Sequence, residues 1–184
     1  MNRTSLRATL TGLLLGCFLA LDAGASTAAE AQALWQAGKR ELAVQAAESA
    51  LQASPQDLRL RFSLASMLLD MQQLDRAQAL LKQLTQDYPD LPDPHNNLAV
   101  VYAARGDLEQ ARAQLMLALT ANPEHPQALE NLGDVLLRLA QQAYERAQKS
   151  APGDTSALVL KLQRLRALNS QPSVTRPPQE GAQR

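Results

Sequence analysis

From Leu58 onward, apolar side chains recur three and four residues apart: Leu60, Leu64, Met67, Leu68 and Met71 line one face of a predicted helix. Gln72-Gln73 interrupts the stripe, and Leu80, Leu81 and Leu84 continue it on a second predicted helix over 75–87. Tyr88-Pro89 ends that helix, because proline disfavours helical backbone before it and lacks an N–H. The same sentence then repeats 34 residues later. Leu64 falls on Leu98, Ala65 on Ala99, Leu68 on Tyr102, Gln72 on Gly106, Ala77 on Ala111, Leu81 on Leu115, Leu84 on Ala118 and Pro89 on Pro123. The period extends backward to Gly38, Ala43, Ala50 and Pro55, and forward to Leu132, Gly133 and Leu136. A fixed period of this size marks a solenoid, in which each unit buries its apolar face against its neighbours.

The pattern predicts helices over 27–37 and 40–53 in a first unit, joined at Gly38. The second unit opens with Asp57 as N-cap. In the third, Asp93 is expected to cap with Pro94 at the first helical position, and Asp107 with Gln110 forms a capping-box pattern. The fourth unit, from Pro126, lacks the five residues of the turn. No Gly or Pro lies between Gly133 and Pro152, so one continuous helix is predicted over 127–150. Its apolar stripe would comprise Leu129, Leu132, Leu136, Leu139, Ala140, Ala143, Tyr144 and Ala147. A helix over 155–168, with Leu158, Leu162 and Leu165 on one face, is expected to cap the stack. Residues 169–184 carry Pro172, Pro177 and Pro178 with few large apolar side chains, a disordered-tail composition.

Period and residues together resemble the tetratricopeptide repeat (TPR). Leu98-Ala99, Ala111, Ala118 and Pro123 fill that family's large-small pair, its two small helix-B positions and its closing proline. Leu64-Ala65, Ala77 and Pro89 fill them one unit earlier. The usual early Trp is replaced by Arg61, His95 and Leu129, and Leu84 stands where a small residue is common. The resemblance implies an all-α, right-handed α-solenoid: three helical hairpins (24–57, 58–91, 92–125), a shortened fourth unit (126–152) fused into one long helix, and the capping helix. It also implies a concave groove lined by each unit's first helix. The family's groove positions correspond here to Trp35, Arg59, Phe62, Ser66, Leu69, Asp70, Asn96, Val100, Ala103, Glu130, Asp134, Leu137 and Arg138. Such a surface suits an extended peptide or a partner helix. Trp35 and Phe62 fit core packing as well as a groove anchor. The carboxylate clamp of some TPR co-chaperones is absent, since Ala28, Gln32, Ser63, Asp93 and Asn97 occupy its places.

Composition fits this picture. The 184 residues are 46% hydrophobic but only 3% aromatic, as expected of helices packed through Ala and Leu. A formal net charge of zero argues against nucleic acid or an anionic membrane bound through bulk charge.

Residues 1–25 read as an export signal: Arg3 and Arg7, an apolar run over 8–21 too short to span a bilayer, and Ala23-Gly24-Ala25 before the cleavage point. Leu14-Leu15-Gly16-Cys17 resembles the lipobox of bacterial lipoproteins, although the apolar run continues past the Cys. The expectation is therefore a periplasmic domain over 26–168 with no membrane span after cleavage, the alternative being a lipoprotein anchored through Cys17.

No catalytic constellation, cofactor motif or metal cluster is visible. His95 and His125 fall at junctions between units without a Cys or carboxylate cluster, and are expected to be surface loop histidines. Asp134 and Arg138 are spaced as a solvated charged face. The functional expectation is a non-enzymatic scaffold or adaptor of the bacterial envelope, monomeric or weakly dimeric, that binds a protein or peptide partner. A structural subunit of an envelope complex and an accessory regulator of a cell-wall enzyme are the alternatives.

Overall fold

A computed structural model describes residues 27–150, 153 and 155–169. The expected leader (1–25), Cys17, and most of the expected tail (169–184) lie outside these residues. Among the described residues the fold is all-helical: α1 (Ala28–Gln36), α2 (Arg40–Ala53), α3 (Leu58–Asp70), α4 (Leu74–Asp87), α5 (Pro92–Arg105), α6 (Leu108–Ala121), α7 (Pro126–Ser150) and α8 (Ser156–Asn169). It is the α-solenoid that the 34-residue period implies.

Consecutive helices pair as hairpins, α1 with α2, α3 with α4 and α5 with α6, and each hairpin packs on the next. The first helices also touch one another directly, α3 with α5 and α5 with α7, which forms the inner layer. Alanine makes the close crossings feasible: Ala43, Ala47, Ala65, Ala77, Ala99, Ala111 and Ala118 are buried, and Leu64, Leu68, Leu81, Leu98 and Leu115 fill the space beside them. Leu84, at a usually small position, is fully buried too.

The turns carry the sharpest backbone requirement. Gly38 and Gly106 adopt left-handed φ of 74° and 84°, and Gln72, at the same register, is forced to φ 57°. Thr27 caps α1 and Asp57 caps α3, their side-chain oxygens accepting from the Glu30 and Leu60 N–H groups at 3.1 and 3.0 Å.

Three local expectations are corrected. Helix α5 begins at Pro92 behind Leu91, so Asp93 sits inside its first turn and does not cap it. Its carboxylate instead accepts from His125 Nε2 at 2.9 Å. The capping box at Asp107 does not form, because no side-chain bond closes that N-terminus. Both histidines are buried rather than on surface loops. His95 Nε2 meets the Pro89 carbonyl at 3.1 Å and its Nδ1 meets Gln114 Oε1 at 2.8 Å, which ties a junction to α6. His125 Nδ1 accepts from the Ala128 N–H at 3.1 Å, so its ring caps α7 while the Nε2 proton goes to Asp93. Arg61, in the position of the family's early Trp, is buried as well and pairs with Asp87 at 2.7 Å.

Helix α7 runs unbroken for 25 residues, as its hydrophobic phase predicts. Its inward face is rotated from the predicted stripe. Ala128 and Val135 are the buried residues, with Leu132 and Leu139 packed beside them. The reason is that α5 and α6 meet α7 along one edge of the stripe only. Helix α8 folds back on α7 along another edge: Lys161 lies 5.3 Å from the Tyr144 ring, Arg166 pairs with Glu145 at 3.1 Å, and Leu162 is buried.

Candidate functional site

The inner layer of α3, α5 and α7 carries a polar ladder. Asn131 donates to Asn96 Oδ1 (2.8 Å), Asn96 to Asn97 Oδ1 (3.3 Å), and Asn97 to Ser66 Oγ (3.3 Å). One chain of amides thus ties three successive repeats. Asn96 and Asn97 are buried, so these bonds satisfy groups that would otherwise be costly to desolvate.

Beside the ladder lies a cavity of about 230 Å³ lined by Val100, Ala103, Asp134 and Arg138, together with Gln72 and Asn131. Small side chains on α5 open the floor, and α7 supplies a carboxylate and a guanidinium on the opposite wall. Arg138 Nη1 donates to the Ala103 carbonyl at 2.9 Å, which holds the guanidinium across the groove. The arrangement offers a mixed surface: apolar on α5, both signs of charge on α7, and amides between.

A second, larger depression of about 570 Å³ is lined by Trp35, Arg40, Glu41, Asp70 and Met71. Arg40 stacks over Trp35 with its guanidinium carbon 3.9 Å from the ring centroid. Partial desolvation raises the Asp70 carboxyl above its ordinary value, and the nearby Arg40 charge works against that rise.

The thirteen groove positions implied by the sequence therefore divide. Val100, Ala103, Asp134 and Arg138 come together in one cavity, with Asn96 joined to it through Asn131. Trp35 and Asp70 meet in the other. Ser66 belongs to the ladder. Phe62 and Leu69 are half-buried and pack on the core, as Trp35 does in part. Arg59 and Glu130 are exposed, Leu137 is half-buried, and none of the three lines either cavity. Sequence reasoning did not place Gln72 and Arg40 at these sites. Both lie outside the first helices, and only the folded turn brings them to the rim. Among the described residues, no group of three or more His, Cys, Asp or Glu is placed to hold a metal ion, and no helix is long and apolar enough to cross a membrane.

Comparisons with known proteins agree with the architecture. A family model described as a tetratricopeptide repeat matches residues 34–96 and 68–133, together more than half of the chain. Among solved structures, the chain is similar to YrrB, described as a TPR protein with an unusual peptide-binding site (26% identity, TM-score 0.54), covering 59% of this chain and 58% of that one. It spans less than two thirds of that relative. It is also similar in fold to MamA from Desulfovibrio magneticus RS-1 (21% identity, TM-score 0.58, covering 74% and 73%). The first TPR domain of human RPAP3 is a further structural match (16% identity, TM-score 0.58, covering 63% and 91%). No curated protein matches the sequence. Repeat register, helical hairpins and the matched family model together show that the chain belongs to the tetratricopeptide-repeat family.

Proposed function

We propose that this protein is a non-enzymatic interaction scaffold that holds a peptide or helix of a partner protein in the groove formed by α3, α5 and α7. The observation that carries this reading is the cavity between α5 and α7, where Val100 and Ala103 face Asp134 and Arg138. An extended segment needs apolar contact and, at intervals, partners for its backbone amides. Val100 and Ala103 supply the first, and Asp134 and Arg138 on α7 supply the second, while the Asn131–Asn96–Asn97–Ser66 ladder holds the three inner helices in register beneath them. The peptide-binding site named for YrrB lends support by analogy of fold. The signal-like pattern of residues 1–25 supports an envelope location in a bacterium, with mature protein starting at Ser26; an acylated Cys17 would put it on a membrane surface instead.

Two measurements test this. The chain is used to capture partners from envelope extracts, in parallel with a Val100→Arg, Arg138→Ala variant. Capture is expected to drop at least tenfold in the variant while helical signal and melting temperature hold. Equal capture by both would remove the groove from the account. The intact mass of the exported form decides the compartment, and a mass that retains residues 1–25 would remove the export claim.

A further inference from the structure

The fused fourth repeat leaves a place in the solenoid unfilled. In repeats two and three, the register positions of Leu129 are held by Arg61 and His95, 6% and 5% exposed, each bonded to its own second helix through Asp87 or Gln114. The register position of Leu136 is held by Leu68, 2% exposed, and by half-buried Tyr102. In repeat four, Leu129 is 50% exposed and Leu136 47%. The helix that covers these positions elsewhere is here drawn out into the C-terminal half of α7, because the turn has lost five residues. That half keeps second-helix residues: Ala140, Tyr144 and Ala147 stand at the register of Ala111, Leu115 and Ala118. Where Ala118 is fully buried, Ala147 is exposed. Slot and missing helix are both present, but the straight rod keeps them apart.

We propose that a second copy of this chain fills the slot, with two α7 helices paired antiparallel about a two-fold axis, so that each copy's C-terminal half of α7 serves as second helix to the other's N-terminal half. A shortened hinge that forces two elements into one rod is a known route to such exchange. Leu129, Gly133, Leu136, Ala140, Ala143 and Ala147 alternate by four and three residues, the spacing of a two-helix seam, and fall within a sector ~80° wide at ~100° per residue. The seam is its own complement when reversed about position 138. Leu129 then meets Ala147 of the second copy, Gly133 meets Ala143, and Leu136 meets Ala140, a large side chain against a small one in two of the three layers.

Charge agrees with this orientation. Helix α8 carries Lys161, Arg164 and Arg166 with no Asp or Glu, and lies against the side of α7 that holds Tyr144 and Glu145. Antiparallel pairing brings the second copy's α8 to that same side of the N-terminal half, where exposed Glu130 is found outside the α5–α7 cavity. The size fits a weak dimer. A seam of ~30 Å by ~10 Å covers about 300 Å² of each copy, about 600 Å² in total, to which the contact with the second copy's α8 adds, so the pairing belongs to the weak, concentration-dependent class. Closed two-fold pairing ends at the dimer and does not propagate into filaments.

The test uses the full chain with Cys17→Ser, so that no native thiol remains. Light scattering at about 100 μM should give twice the 20.0 kDa protomer mass, and Leu136→Glu should return it to the protomer mass with unchanged helical signal. A Gly133→Cys, Ala143→Cys variant should form a covalent dimer on oxidation, whereas each single-cysteine variant should not. Within one copy those positions are ~15 Å apart along the helix, too far for a disulfide, and a Cβ at Gly133 meets no heavy atom within 4 Å. A protein that stays at protomer mass overturns the proposal, whether its α7 face is bare or captures a different protein. So does a dimer indifferent to Leu136→Glu, or cross-linking in a single-cysteine variant, which would indicate parallel pairing.

Discussion

The turn between α3 and α4 offers a stabilising substitution whose size follows from backbone geometry. Gln72 sits at φ 57°, where Gly38 and Gly106 serve in the neighbouring repeats. A side chain in the left-handed region costs roughly 1–2 kcal/mol, because Cβ crowds the backbone oxygen. Glycine removes that cost but loses about 0.4–1 kcal/mol through greater freedom in the unfolded chain. The Gln72 N–H bond to the Leu69 carbonyl (2.9 Å) is kept in either case, and the side chain is exposed. Gln72→Gly should therefore stabilise by about 1 kcal/mol, a rise in melting temperature of roughly 3 °C for a domain of this size. Urea and thermal unfolding followed by circular dichroism give both numbers. The reverse change supplies the control: Gly106→Ala meets no heavy atom within 4 Å, so any loss, expected at about 1 kcal/mol, is conformational. A Gln72→Gly protein that melts lower than wild type would refute the reasoning and point to a contact of the Gln72 side chain worth more than the strain.

Three further outcomes are expected. His125→Ala removes both the cap on α7 and the bond to Asp93, and should cost about 2 kcal/mol; His125→Asn, which restores a cap acceptor, should recover roughly half of it in the same melts. The Glu145 carboxyl is held below its ordinary value of 4.5 first by the Gln141 hydrogen bond and then by Arg166. Its contribution to docking α8 is thus complete above pH 4.5 and is lost as pH falls through the lower folded-state value. Hydrogen exchange in α8 should accelerate over that acidic window, and an Arg166→Gln variant should show a weaker pH response. Asn131→Leu breaks the ladder at its α7 end and leaves Asn96 Oδ1 without that donor; a loss of about 1–2 kcal/mol is expected in urea unfolding, against no change if the ladder is incidental.

How far the chain could be read in advance depended on the range of the interaction involved. The 34-residue register, the helix boundaries near Gly38 and Pro89, and the unbroken α7 were legible, because helical phase and turn residues act within a few neighbours. Stacking geometry in a solenoid follows from the same local code, since each unit meets only adjacent units. The histidines show where that stops. His95 and His125 sit in junction sequences that resemble exposed loops, yet Gln114, the Pro89 carbonyl and Asp93 reach them from other elements and make them buried connectors. Asp93 and Asp107 carry capping sequences, but the start of α5 moved to Pro92 and no cap bond formed at Asp107. The groove was split in the same way. Its α5 and α7 residues converge because α5 packs directly on α7, whereas Phe62 and Leu69 turn partly toward the core. The sequence by itself determined the repeat, the helices and the fused rod, each set by spacing along one chain. Tertiary structure alone decided which edge of the α7 stripe is covered by α6 or α8 and which edge, bearing Leu129 and Leu136, is left open, because that depends on the angle at which three helices meet.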